Sequence, residues 1–319
     1  MKVALFNLEP DIVNTAMMQV SEYHKEQGNF VTLYDPSKND YDKIYAFSLF
    51  NYTDKSKVTP DMICGGTGFD IKSRLPPEIE SCDYDWSLYS NCDYSILYFS
   101  RGCVRNCPFC IVRQKEGYIH LVEPKNLNPN GKYIKIHDNN FFANPKWREA
   151  IEYLKKIGQK VEFDTGVDAR TLTEEQCNAL MTLKHYRQIK IAWDNPKDEL
   201  KPKLIEITKI IKPYKLMCFV LIGFDSTPEQ DLSRVEVLRE LKIDPFVMPF
   251  NKKDKYQQKF ARWVNHKAIF KSVSWKQYQE RVFGKSEKAL IQDRIDEVNA
   301  GKVISTKELK ERVFGKVKL

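Results

Sequence analysis

Apolar positions recur along this chain with two different periods. The first ninety residues open on a short apolar run at 3–8, followed by a stretch at 11–25 in which Ile12, Ala16, Val20 and Tyr23 return at helical spacing until Gly28 stops them. Such periods predict a strand and then an amphipathic helix. Further apolar runs at 31–34, 43–47 and 61–64 predict three more strands, the last entering Gly65-Gly66-Thr67-Gly68. Strands alternating with helices imply a parallel, doubly wound Rossmann-like sheet, whose ligand crevice lies beyond the carboxyl ends of its strands. The glycines there either admit a ligand close to the backbone or only form a tight turn.

From Tyr94 the pattern becomes a longer series. Strands are expected at 95–100, 133–137, 161–165, 188–194, 216–223 and 245–250. Most intervals between them carry helix signals. Asn144-Pro145 opens a helix that Gly158 ends, Thr173 with Gln176 forms a capping box, and Thr227 with Gln230 forms another with Pro228 at the first helical position. The interval 111–132 carries only a weak helix pattern. Six strand-plus-helix units predict an α/β fold of partial (βα)6 type, an open relative of the eight-fold barrel with its chemistry at the carboxyl ends of the strands. The expected division is a Rossmann-like domain at 1–92, the partial barrel at 93–270 and a basic helical extension at 271–319. In that extension Glu-Arg-Val-Phe-Gly-Lys occurs twice, at 280–285 and 311–316. Two copies are too few for a solenoid and read as a local duplication.

Composition narrows the class. Of 319 residues 42% are hydrophobic, enough for a buried core, and the longest apolar stretch, 216–224, falls far short of the roughly twenty residues that span a bilayer. The amino terminus meets Glu9 and Pro10 before any long apolar region, so no secretory signal is expected and a cytoplasmic location is. The net charge of +8 is uneven: residues 251–319 hold 18 Lys and Arg against 8 Asp and Glu, so the tail carries +10 and the first 250 residues −2. Any attraction to a nucleic acid therefore belongs to the tail, where a solvated helical face is the plainer reading.

Three of the eight cysteines are clustered. Cys103-Val104-Arg105-Asn106-Cys107-Pro108-Phe109-Cys110 follows the expected end of the first barrel strand, while Cys64, Cys82, Cys92, Cys177 and Cys218 are scattered and read as small buried apolar residues. A reducing compartment favours metal or redox chemistry over a disulfide framework. Spacings of three and then two residues let one loop place a thiolate on each of three irons of a cubane cluster, leaving the fourth iron open. A Cys3His zinc site completed by His120 or His137 competes, although neither histidine sits at a usual ligand spacing.

The cysteine loop, with an aromatic residue immediately before its last cysteine, resembles the signature of the radical S-adenosylmethionine superfamily, and the resemblance covers about residues 94–270. It implies a 4Fe-4S cluster on Cys103, Cys107 and Cys110, S-adenosylmethionine on the open iron, and an electron donor such as flavodoxin or ferredoxin. In that family cleavage of S-adenosylmethionine yields a 5′-deoxyadenosyl radical that abstracts hydrogen from a substrate. By the same resemblance Phe109 lies beside the cofactor. Asp138 and Asn139 stand where a Gly-Gly-Glu-like stretch usually holds the methionine amino group, though the glycines are missing. Asp168 and Arg170 resemble the residues that grip its carboxylate, Arg170 through a bidentate fork. Asp194 corresponds to a ribose contact, or only to a turn and helix cap, and Ile222-Gly223 to the stretch packed on adenine.

The first ninety residues resemble, in layout and in the Gly65-Gly66-Thr67-Gly68 turn, the cobalamin-binding-like domain that precedes the barrel in one branch of the family. No Asp-x-His-x-x-Gly occurs there, and His24 lacks the flanking residues, so histidine-ligated cobalamin is not indicated, while cobalamin without a histidine ligand, or a domain that binds no cofactor, stays open. Methylthiotransferases carry three cysteines in that domain, whereas Asn7 and Ser48 occupy two of the expected regions here and Cys64 the third. Methylthiotransferase-like or methyltransferase-like modification of RNA or another macromolecule is an alternative to a radical enzyme of unassigned substrate, and a non-catalytic iron–sulfur binding or sensing protein is another.

Overall fold

The computed structural model describes residues 1–283, with side chains to Glu280. The second copy of the repeated hexapeptide, the last two residues of the first, and most of the basic extension expected to be the region for any nucleic acid lie outside the described residues. The protein is mixed α/β with parallel sheets, and its chain divides into one compact unit at Met1–Lys190 and a second from Ile191 onward.

The first unit begins with β1 (Lys2–Asn7), α1 (Thr15–Glu26), β2 (Phe30–Leu33), β3 (Lys43–Phe47), β4 (Ile63–Gly65) and the short α2 (Pro77–Glu80). The four strands form a parallel sheet in the order β2-β1-β3-β4. Asn14 caps α1, its side chain accepting from Met17 N, and so starts the helix three residues later than the apolar spacing suggests. Val3, Leu5, Met17, Val20, Phe47 and Ile79 form the core between sheet and helices. The connections β2–β3 and β3–β4 contain turns and bends without a helix, so the helical complement expected of a doubly wound sheet is reduced to α1 and α2 among the described residues. Those segments carry Asp, Asn and Ser, which bond their own backbone in turns, and Pro, which presets a turn, rather than a helical pattern.

A second sheet in this unit follows. It uses β5 (Tyr94–Leu97), then β6 (Ser100–Arg101), α3 (Val112–Glu116), β7 (His120–Leu121), β8 (Tyr133–Ile136), α4 (Trp147–Ile157), β9 (Lys160–Phe163) and α5 (Glu174–Thr182). β5, β8 and β9 are parallel neighbours in that order. The expected strand at 95–100 ends at Leu97, because Ser100 and Arg101 turn away to pair antiparallel with Leu121 and His120. Gly158, at φ +73°, ends α4, and the Thr173–Gln176 capping box is formed at α5. Met18 of α1 meets Ile96 of β5 in a shared apolar cluster with Tyr84 and Trp86.

β10 (Ile189–Ala192) crosses the division between units. The second unit continues with α6 (Lys201–Ile210), β11 (Leu216–Ile222), α7 (Pro228–Glu240), β12 (Asp244–Pro249), α8 (Lys255–Asn265), α9 (Lys267–Ser272) and α10 (Trp275–Phe283). Its sheet has the order β10-β11-β12, and β11 and β12 run parallel. The Thr227–Gln230 capping box is present with Pro228 opening α7. The six strands expected of the barrel are thus all formed, hydrogen-bonded as two sheets of three, and no closed barrel is seen among the described residues. No helix among them is long and apolar enough to cross a membrane.

Candidate functional site

The cysteine loop is pinned at its base before any cysteine is considered. The β6–β7 pair closes it, and Cys103 N donates to Gly117 O at 3.3 Å while Arg113 donates to Cys103 O at 3.1 Å. At the end of α3, Glu116 accepts from Arg101 at 2.6 Å, from Gly102 N at 2.8 Å and from the Asn139 amide at 2.7 Å. Burial raises the Glu116 carboxyl, but the Arg101 guanidinium and these donors outweigh it and leave the group below the ordinary range. Asn139 therefore reaches the loop through Glu116, a residue that no spacing in the sequence singled out.

Asp138, expected near the cofactor amino group, is 1% exposed. Its carboxylate accepts from Phe99 N at 2.9 Å and from the Ser100 hydroxyl at 2.5 Å, joining the end of β8 to the turn that leaves β5. Burial pushes this carboxyl up to about 6 despite those donors. The next residue but one, Asn140, directs its amide toward Cys103 Sγ at 3.9 Å, and Arg105 N lies 3.4 Å from the same sulfur.

Asp168 sits at the centre of a charged group beyond β9. Its carboxylate receives Arg170 at 2.7 Å and 3.1 Å through Nε and a terminal nitrogen, and it pairs with Nε of Arg105, which lies between Cys103 and Cys107. Arg170 also donates to the Cys107 thiol. Burial raises Asp168, and the two arginines together bring it below the usual carboxylate range. Burial likewise raises the Cys107 thiol, with Arg170 and Arg105 pulling the other way. Asp168 and Arg170, both expected by resemblance near the cofactor carboxylate, are bonded to each other, and the third member, Arg105, was missed because its partner is 63 residues distant.

Cys103, Cys107 and Cys110 are all partly exposed, as is Phe109, and Cys110 N donates to Cys107 O at 3.0 Å in a tight turn. Among the described residues no three His, Cys, Asp or Glu side chains are gathered closely enough to hold an ion. The donor chemistry nonetheless suits a thiolate-bound cluster: three accessible thiols in one loop, with N–H groups and two guanidinium groups turned toward two of them. The zinc alternative has no support from the histidines, since His120 bonds to Tyr118 O at 3.1 Å and His137 lies between Tyr98 and Asp164.

No family model and no curated protein matches the chain. One solved structure that it resembles is that of Streptococcus suis SuiB bound to precursor peptide SuiA, with 14% identity over 50% of this chain and 40% of that one. The TM-score is 0.38, too low to establish a common fold.

The remaining expected site residues belong to the second unit. Asp194 follows β10, and its carbonyl accepts from Arg234 at 3.1 Å. Arg234, 3% exposed, also donates to Trp193 O at 2.9 Å, Leu221 O at 2.9 Å and the Asp231 carboxylate at 2.7 Å, fixing the carboxyl ends of β10 and β11 together. Ile222 is buried at the end of β11. Gly223 turns there at φ +76°, a backbone conformation that favours glycine, with the Gln257 side-chain amide packed where a Cβ would stand.

At the carboxyl ends of β1, β3 and β4 the loops bond to one another. Glu9 accepts from the Ser48 hydroxyl at 3.0 Å, from Leu49 N at 3.1 Å, from Phe50 N at 3.4 Å and from the Thr53 hydroxyl. Gly66 and Gly68 press onto Ser48, where added Cβ atoms would meet Ser48 O at 2.4 Å and Ser48 Oγ at 2.3 Å. Their smallness is used in a backbone contact, the tight-turn reading of this motif. His24 is buried against the Tyr45 hydroxyl at 3.1 Å and Asn29 at 3.1 Å. These residues do not offer cobalamin a histidine ligand.

Proposed function

We propose that this chain is a radical S-adenosylmethionine enzyme in which Cys103, Cys107 and Cys110 hold a 4Fe-4S cluster. The observation that carries the reading is the loop itself: three partly exposed thiols at spacings of three and two, at the carboxyl end of a parallel sheet, with N–H donors turned toward the sulfur of Cys103 and Arg170 against Cys107. When bound, the cluster would supply an electron that cleaves S-adenosylmethionine to a 5′-deoxyadenosyl radical. The protein's part is to bind, orient and exclude water.

In this reading Asp138 and Glu116 keep the loop's two ends in place. Arg170 offers its guanidinium to the carboxylate of S-adenosylmethionine, and Asn139 lies beside its amino group. Asp194, Ile222 and Gly223 serve the ribose and adenine. The substrate and the electron donor, flavodoxin- or ferredoxin-like, are partners of this same site, and the basic tail is the region for a nucleic-acid partner.

The test is anaerobic reconstitution with iron and sulfide, addition of S-adenosylmethionine and dithionite, and chromatography for 5′-deoxyadenosine. Product that disappears in Cys107→Ala is the expected result. A loaded cluster that forms none, with or without candidate substrates, would replace the proposal with an iron–sulfur binding or sensing role.

A further inference from the structure

The cluster loop is gripped from one side by a charged group whose geometry implies more than anchoring. Asp168, with its side chain 9% exposed, holds Arg105 and Arg170 on the two oxygens of one carboxylate. Arg105 belongs to the loop, and its own backbone N–H points at Cys103 Sγ. Arg170 belongs to the segment after β9, and its guanidinium rests on Cys107. Two permanent cations and one anion therefore leave a net positive charge beside two thiols, in a partly buried setting where screening by water is weak.

We propose that Asp168, Arg105 and Arg170 form a clamp that positions the cysteine loop and raises the reduction potential of the cluster it carries. The inference rests on the cluster reading above. Reduction adds one electron from a low-potential donor such as dithionite, and the cluster becomes one unit more negative with no proton transferred. A fixed cation and N–H donors at the ligand sulfurs stabilise that added charge. Asp168 is a positioning residue in this account, because it acts only through the arginines. Arg170 held in this way is also already oriented before any small-molecule carboxylate arrives.

The experiment uses the full chain, anaerobically reconstituted, with iron and sulfide determined and the midpoint potential followed by electron paramagnetic resonance during a dithionite titration. Arg170→Gln is expected to retain wild-type iron and to become reducible only at a more negative potential, with Arg170→Lys falling between. Asp168→Asn and Arg105→Gln are expected to take up iron about tenfold more weakly, and Asp168→Glu to recover part of that loss. Should Asp168→Asn lose its circular-dichroism signature of folding, Arg105→Gln carries the same test from the loop side. Wild-type potential in Arg170→Gln, together with wild-type iron uptake in Arg105→Gln, would overturn the clamp. A Cys107→Ala protein that still holds a full complement of iron would instead overturn the cluster reading on which the clamp rests.

Discussion

Two parallel sheets in the first unit present their carboxyl ends to loops of opposite character. At the end of β1, β3 and β4 the loops are closed on themselves: Glu9 gathers the donors of residues 48–53, and Gly66 and Gly68 lie against Ser48. Beyond β5, β8 and β9 the polar groups converge on a loop whose three thiols stay partly exposed. Both sheets are parallel, and the expectation of a ligand at the strand ends applies to each. What differs is where the hydrogen-bonding capacity goes, inward to a carboxylate of the chain or outward to the partly exposed sulfurs of the cysteine loop.

The contrast is broken most severely at the cysteines. Cys103→Ala, Cys107→Ala and Cys110→Ala should each abolish cluster and activity, whereas Cys177→Ala and Cys218→Ala, at fully buried positions, should leave iron and sulfide unchanged. A fully loaded Cys107→Ala protein ends the comparison.

A second test exploits the buried Asp138. Its folded-state value of about 6 lies above that of an unfolded aspartate, so the folded protein keeps this proton through the intervening window. The contribution of Asp138 to stability is therefore highest in acid and falls as pH rises through that window, by up to about 3 kcal/mol. Asp138→Asn should remove that fall, seen as a difference between the two proteins in denaturant unfolding measured across the acid range. Parallel pH profiles would show that the carboxyl is not buried as described.

Smaller effects belong to the first sheet. Gly68→Ala forces a Cβ onto Ser48 Oγ and Phe50 O and should cost about 2 kcal/mol, read from the denaturant midpoint. Glu9→Gln keeps one acceptor oxygen and should cost about 1 kcal/mol. Neither should alter iron content, and a loss of iron from either variant would show that the two strand-end regions are coupled. Arg170→Ala should spare the iron and weaken S-adenosylmethionine binding by calorimetry, and unchanged binding would remove Arg170 from the ligand's reach.

Much of this architecture was legible because its determinants are local. The capping boxes at Thr173 and Thr227, the stop at Gly158 and the continuous apolar run of β11 each depend on residues a few positions apart. The expected strand at 188–194 shortened to Ile189–Ala192 at its ends, where pairing rather than composition sets the limits. Pairing also made the two-residue strands β6 and β7, which have no pattern of their own. In the site, the clustering of the cysteines could be read from spacing, and Asp168 and Arg170 were singled out only by resemblance. Arg105, Glu116, Asn140 and Arg234 could not, since each takes its meaning from partners brought near by the fold. The helices missing between β2, β3 and β4 reflect turn-forming sequences that strand alternation alone does not weigh.

The antiparallel pairing of Ser100–Arg101 with His120–Leu121 has a consequence for metal uptake. It makes residues 102–119 a ring whose ends are already joined by the folded chain. Bringing together the ends of a free segment of that length would cost roughly 2.5 kcal/mol in lost chain entropy. Under the proposed cluster reading, folding has met that cost before any iron arrives, so binding would have only to draw three thiols together within an existing loop rather than order the chain around them.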